Sequence, residues 1–312
     1  MPCPRLIQIT CSFAIVLSSA VAQEAVTPIA GIGPTGPIQA VHDGFAFKFT
    51  EGPAADAEGQ LYFTDVFAGR IYRVEAEGDP TLILEKSAGM NGLMFDSQGR
   101  LIGCKGGAGS VVAIDTASGE MTTVGGEYDG KRFNRPNDLV IDRAGGVYFT
   151  DPKFGRGTQD VEGVYYISAD GDVSQLIGTL KFPNGITMSP NESTLYVLQY
   201  QAQELMAYPV ESPGKVGEGQ VFCKVDSGDK TPAGGDGMTV DTQGNLYITA
   251  PVKQAIQVVS PTGKTLGMIP LPGKPTNCAF GGPDMKTLYV AAMKQMFALP
   301  METTGHRFAS AQ

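Results

Sequence analysis

The chain has 312 residues, and a 42% hydrophobic share with mean hydropathy of −0.04 provides for a large core, while a net charge of −9 and a pI near 4.8 disfavour nucleic acid and anionic membranes as partners. Its 41 glycines and 21 prolines fall between short apolar runs at regular intervals, which marks turns and not a low-complexity block. Beyond the N-terminus no apolar run approaches the length of a membrane span, so the mature protein is expected to be soluble, with no membrane partner.

The N-terminus reads as an export signal, residues 1–22. Arg5 precedes a mostly apolar stretch, residues 6–17, and Ala20-Val21-Ala22 supplies a small-residue cleavage site. The mature protein is therefore expected in the periplasm or outside the cell. Cleavage removes Cys3 and Cys11 and leaves Cys104, Cys223 and Cys278, an odd and widely spaced set that reads as small buried side chains and not as a disulfide framework. A leader of small residues, 23–37, follows. Its Gly31, Gly33 and Gly36 match a dinucleotide-binding pattern in letters only, because no strand precedes them, no helix follows, and Pro34 interrupts the loop.

From residue 51 a pattern recurs: a polar residue, a short apolar run, a turn, and a second alternating run. The copies are EGPAADAEGQLYFTD from Glu51, NGLMFDSQGRLIGCK from Asn91, NDLVIDRAGGVYFTD from Asn137, NGITMSPNESTLYVLQ from Asn184, DGMTVDTQGNLYITA from Asp236 and NCAFGGPDMKTLYVAA from Asn277. Spacings of 40, 46, 47, 52 and 41 residues between the leading polar positions suit propeller blades, and no copy carries the apolar spacing of a helical repeat. Two further runs follow each of the first five hairpins, for instance RIYRVEA and TLILE, giving four strands per unit. The sixth unit, TNCAF, TLYVAA and QMFALP, is one strand short. The fold expected is an all-β, six-bladed propeller of four-stranded blades over residues 38–300. Residues 38–47 return as the outer strand of the last blade, because an open sheet edge is a liability. Residues 301–312 are expected to be a loosely held tail.

The first strand of each propeller blade lines the central channel, so Glu51, Asn91, Asn137, Asn184, Asp236 and Asn277 are expected to form a ring at one mouth. A turn-capping role suits any one of them, but six in register is a strained account, since caps equally favour Ser, Thr or Gly. Carboxylate and amide oxygens without clustered His or Cys suit a hard cation, Ca²⁺ or Mg²⁺, better than Zn²⁺ or copper. Glu51 and Asp236 neutralise a divalent ion in this reading, Asn137 and Asn184 complete its protein ligands, and Asp138 orients a ligand or a water from behind. The Asp-x-x-Gly sequences at Asp56, Asp96, Asp142 and Asp241 look like fragments of calcium loops, yet hairpin turns account for them.

These residues also carry a resemblance. EGP at Glu51, RPND at Arg135, FPNG at Phe182, GDGM at Gly235 and NCAFGG at Asn277 resemble, in the same order, motifs of the gluconolactonase, regucalcin and luciferin-regenerating-enzyme family, over residues 47–299. The export signal and the FPNG and GDGM motifs are most similar to the bacterial gluconolactonase branch. The resemblance implies one divalent cation in the channel, Ca²⁺ foremost with Mg²⁺, Mn²⁺ or Zn²⁺ as alternatives, and hydrolysis of sugar lactones. It implies Glu51, Asn137, Asn184 and Asp236 as metal ligands, Asp236 or Asp138 as the carboxylate that manages water, and Arg135 and Asn91 as substrate contacts. The partner expected is a small sugar lactone, met by a monomer or weak dimer, with specificity set by loops at residues 67–70, 154–162 and 199–204. Other ester or phosphotriester hydrolysis on the same scaffold, and a non-catalytic metal-binding propeller, are the alternatives. No G-x-S-x-G or H-E-x-x-H sequence occurs, the only histidines are His42 and His306, and the absence of Trp excludes WD-type repeats.

Overall fold

The computed structural model describes residues 26–42, 44–74, 79–155, 157–228 and 233–308. The stretch expected to be an export signal, residues 1–22, lies outside them. The alternating runs form strands as their period requires. In the first copy Thr50–Ala55, Leu61–Asp65, Arg70–Arg73 and Thr81–Glu85 join in chain order as one antiparallel sheet. Comparable sheets follow from each later copy, and the six together make a six-bladed β-propeller. Among the described residues no helix is long and apolar enough to cross a membrane.

Burial tells which edge of each blade faces the axis. The first strands, Thr50–Ala55, Met90–Phe95, Leu139–Ile141, Pro183–Met188, Met238–Val240 and Asn277–Gly281, are mostly buried. Outer strands such as Thr81–Glu85 and Gln220–Lys224 are largely exposed. The core lies between the faces of successive blades. Val140 and Tyr148 of the third blade share a cluster with Ile186, Leu195 and Val197 of the fourth and with Val240 and Leu246 of the fifth. Alternation alone produces this, since successive side chains on a strand serve opposite interblade cores.

The ring closes through the N-terminal strand. Gln39–Ala40 pairs antiparallel with Gln295–Pro300 as the outer strand of the sixth blade, so closure occupies two residues of the predicted 38–47. Three features depart from the expectation. A small hairpin, Glu127–Tyr128 with Lys131–Arg132, lies between the second and third blades. The fourth blade's third strand, Glu204–Ser212, extends to pair with Lys215–Val216.

The third departure corrects the loose tail and carries the packed unit through residue 308. Thr303 Oγ1 donates to Asp241 Oδ2 at 3.0 Å, the His306 amide to Val240 O at 3.0 Å, and Arg307 to the carbonyls of Asp56 and Ala57 at 2.7 and 2.8 Å. Phe308 is 8% exposed within the core. The tail's polar sequence misled because its partners are edges of the first and fifth blades, remote in sequence, which satisfy its backbone away from water.

The Asp-x-x-Gly turns use their carboxylates internally. Asp56 accepts from the amides of Glu58 and Gln60, Asp96 from Gln98 and Arg100, and Asp241 from Gln243 and Asn245. Cys104 and Cys278 are buried and Cys223 is half-buried, all as free thiols.

Candidate functional site

The ring residues are held by features that lie one step beyond them in sequence. Glu51, Asn91, Asn184 and Asp236 are each followed by glycine, and the backbone of the next blade passes over it. A Cβ at Gly52, where φ is +49°, would lie 2.1 Å from Asn91 O, and one at Gly185 would lie 2.5 Å from Asp236 O. At Gly237 it would lie 2.1 Å from Asn277 Cγ. Only glycine allows this approach. The gain is a chain of backbone bonds between blades: Gly92 N to Asn137 O at 2.8 Å, Gly185 N to Asp236 O at 2.7 Å, and Gly237 N to Thr276 O at 2.8 Å. Threonines on the second strands add to it, Thr64 donating to Asn91 O at 3.2 Å and Thr150 to Asn184 O at 2.7 Å.

Acids at the end of second strands fix the approach to the ring. Asp151, fully buried, accepts from the amides of Asn134 at 2.8 Å and Arg135 at 2.7 Å, three and two residues before Asn137. Asp65 accepts from Lys48 and Phe49, both at 2.9 Å, just before Glu51. Gln199 serves the fourth blade in the same way, accepting from Lys181 at 3.0 Å. These positioning residues were missed in the sequence. Their signal was present as the shared ending YFTD in the first and third copies.

Five of the six ring residues, Glu51, Asn91, Asn137, Asn184 and Asp236, line one cavity of about 450 Å³. Arg135 lines it too, its guanidinium 4.9 Å from the centre of the Phe154 ring. Each loop expected to set specificity contributes one aromatic wall: Phe67, Phe154 and Tyr200. Asn277 does not line this cavity, and neither does Asp138. They border a smaller space of about 100 Å³ on the far side of the ring, closed over by His306, Arg307 and Phe308 of the tail. There Asn277 Nδ2 donates to Asp138 Oδ2 at 3.4 Å, and the same amide hydrogen-bonds Glu51. The sixth ring residue thus links two acids.

The acids are desolvated and repel one another. Glu51, 3% exposed, is pushed well above the ordinary carboxylate range by burial first and then by the charges of Asp236 and Asp138, against the amide of Gly52 that donates to its Oε2 at 3.0 Å. Burial raises Asp138 to about 7, with the Leu139 amide, Asn277 and the Ile186 amide opposing the rise. Asp236, half-buried, rises to about 7 through desolvation and the charge of Asp138, opposed by a hydrogen bond from Asn184. No Lys or Arg among the described residues forms an ion pair with any of the three. Uncompensated buried carboxylates are costly, and a bound cation reverses the local electrostatics. The side-chain oxygen Oδ1 of Asn91 is also buried without a partner.

Among the described residues no group of three or more His, Cys, Asp or Glu is arranged to hold a metal ion. Two carboxylates with amide oxygens remain, a donor set that fits a hard, oxygen-seeking cation. The three acids lacking a cationic partner fit it as well.

Residues 49–294 match the SMP-30/Gluconolactonase/LRE-like region. The chain belongs to that family. The match spans all six ring positions, from just before Glu51 to beyond Asn277. A gluconolactonase of Zymomonas mobilis is 30% identical over an alignment of 287 positions that covers 83% of this chain and 80% of that protein. A gluconolactonase structure from Xanthomonas campestris superposes with a TM-score of 0.77 at 29% identity, covering 85% of this chain and 89% of the other. The calcium-binding protein regucalcin of Agrobacterium tumefaciens shares the fold, with a TM-score of 0.75 at 24% identity over 91% of this chain and 97% of its own.

Proposed function

We infer that the protein is a divalent-metal-dependent hydrolase of lactones, of the gluconolactonase kind. The observation that carries the reading is the convergence of Glu51 and Asp236 with Asn91, Asn137 and Asn184 on one cavity that also holds Arg135. The relatives named gluconolactonase give the substrate class, and the calcium-binding name of the regucalcin structure agrees with Ca²⁺ as the cation. Glu51, Asn137, Asn184 and Asp236 would hold the ion. When bound, such an ion would compensate the charge of the acids and supply Lewis-acid polarisation to a lactone carbonyl.

The chain's own residues account for the remaining chemistry. Water adds to the carbonyl carbon, the ring carbon–oxygen bond breaks, and the proton lost by water ends on the departing alkoxide, giving the open hydroxy acid. Of the two candidate carboxylates, Asp236 borders the cavity and Asp138 does not, so contact with the attacking water favours Asp236 as the group that handles the proton. Asp138 then acts through its charge on Asp236 and through Asn277. The unpartnered Asn91 Oδ1 is suited to accept from a sugar hydroxyl, since pairing it on binding recovers about 1–3 kcal/mol. The Arg135 guanidinium, seated on Phe154, donates to the substrate's oxygens.

The test is hydrolysis of glucono-1,5-lactone by the mature protein, followed by proton release after chelation and again after adding back Ca²⁺, Mg²⁺, Mn²⁺ or Zn²⁺. Turnover lost with chelator and restored by a divalent ion supports the reading. No turnover of this lactone or of alkyl-substituted lactones, in a protein that still binds an ion tightly, overturns it.

A further inference from the structure

The cavity over the ring has a second lobe. A space of about 340 Å³ shares Phe49, Tyr200 and Asp236 with the first, so the two meet above Asp236. The lobes differ in chemistry. The first holds the amides, Arg135 and Glu51, which suit a hydroxylated ring. The second is walled by Ala233, Pro251, Val252, Pro275 and Met293, with Lys274 at its edge.

Exposure around this mouth is unusual. Of the large apolar side chains exposed among the described residues, Phe67 (65%), Phe154 (48%), Val252 (41%) and Met293 (41%) all stand at the two lobes. Scattered single exposures are ordinary, whereas apolar groups gathered round one opening mark a binding surface. The backbone adds an independent observation. Met293 lies at φ +57° in the turn between Thr287–Ala292 and Gln295–Pro300, and Phe182, in the wall of the first lobe, lies at φ +56°. Left-handed backbone at a bulky residue costs on the order of 1–3 kcal/mol. Seven other non-glycine residues among those described also adopt it, Met285 among them, and at these two positions the turn presents an apolar side chain to the mouth.

We propose that the second lobe is a subsite for an alkyl substituent, so that the substrate is a lactone carrying a hydrocarbon chain and not a bare sugar ring. The proposal rests on the lactone-hydrolase reading of the first lobe. The reacting carbonyl lies at the ring, the chain crosses over Asp236, and its methylenes lie against Val252, Met293 and the two prolines. A free polyol gains little along the wall formed by Ala233, Pro251, Val252, Pro275 and Met293, which offers no side-chain hydrogen-bonding group, and the hydroxyl of Thr276 is already bonded to the carbonyls of Thr50 and Ala291.

Calorimetric titration with unreactive lactams tests the subsite apart from turnover. A six-membered lactam is compared with analogues bearing propyl, pentyl and heptyl chains on the carbon next to nitrogen, in the presence of Ca²⁺. Affinity is expected to rise by about two- to fourfold per methylene, the range for partial to full burial. Val252→Asp and Met293→Asp should each erase most of the rise, while Leu82→Asp, which alters an equally exposed residue on an outer strand, should preserve it. Affinity independent of chain length, or a rise that survives both mouth variants, overturns the subsite. Turnover of unsubstituted and alkylated six-membered lactones is read separately. If neither is hydrolysed while the lactams bind with the expected chain dependence, the lactonase reading fails and the apolar subsite stands.

Discussion

The buried acids make the metal-free protein unusually sensitive to pH, and Asp138 is the group on which this is best measured. It is 7% exposed, and burial lifts its carboxyl from 3.8 to about 7. The folded state therefore binds a proton more tightly than the unfolded chain. The stabilisation associated with that proton is complete below about pH 4 and is lost as pH rises through about 7, so unfolding free energy falls across this window. A shift of about three units corresponds to about 4 kcal/mol, with a slope of up to about 1.4 kcal/mol per pH unit. Asp138→Asn keeps the shape and an oxygen to accept from the Leu139 amide, but cannot ionise. Urea unfolding of both proteins with chelator, at steps from pH 4.5 to 7.5, reads the difference. The variant should gain on the parent as pH rises, reaching a midpoint about 1 M higher at pH 7.5 if the slope in urea is about 3 kcal/mol per molar. Addition of Ca²⁺ should shrink the gap, because a cation favours the ionised carboxylate. Parallel pH profiles for the two proteins would refute the argument that burial of Asp138 opposes its charge.

Three further outcomes follow from the geometry. Gly237→Ala forces a methyl against Asn277 Cγ and should displace the amide that links Asp138 and Glu51, costing about 1–3 kcal/mol in unfolding free energy and lowering lactone turnover without removing any acid; an unchanged melting temperature and rate would contradict it. Glu51→Gln removes one of the two carboxylates proposed to neutralise the ion, and Ca²⁺ affinity measured by calorimetry should fall at least tenfold while the metal-free protein becomes more stable above pH 7, since burial pushes the Glu51 carboxyl well above its ordinary range and opposes its ionisation. Phe308→Ala empties a core position at the closed end of the channel and should cost about 3–5 kcal/mol, whereas a loose tail would give no change on thermal unfolding.

Much of this protein was legible because its determinants are local and repeated. Alternation in LYFTD, VYFTD and LYITA fixes which side chains enter the interblade cores, and six copies at intervals of 40 to 52 residues require a closed arrangement of blades. The one missing strand in the sixth copy identified Gln39–Ala40 as the closure, although only two of the expected residues pair. The polar residue leading each copy was visible for the same reason, and five of the six meet at one cavity.

Other properties depend on residues that become neighbours only when the ring closes. Asn277 resembles its five counterparts in sequence, yet the structure turns its amide to Asp138 and Glu51 and away from the larger cavity. The glycines after the ring positions looked like turn residues, but they allow the next blade's backbone to approach within hydrogen-bonding distance. The tail is tied to Val240, Asp241 and Asp56, partners that no local pattern announces. Chain periodicity determines strands and their faces, because those depend on neighbours a few residues away. Which acids share a field, and which side chains share a cavity, is decided by contacts between blades, and their energies exist only once desolvation has brought the groups together.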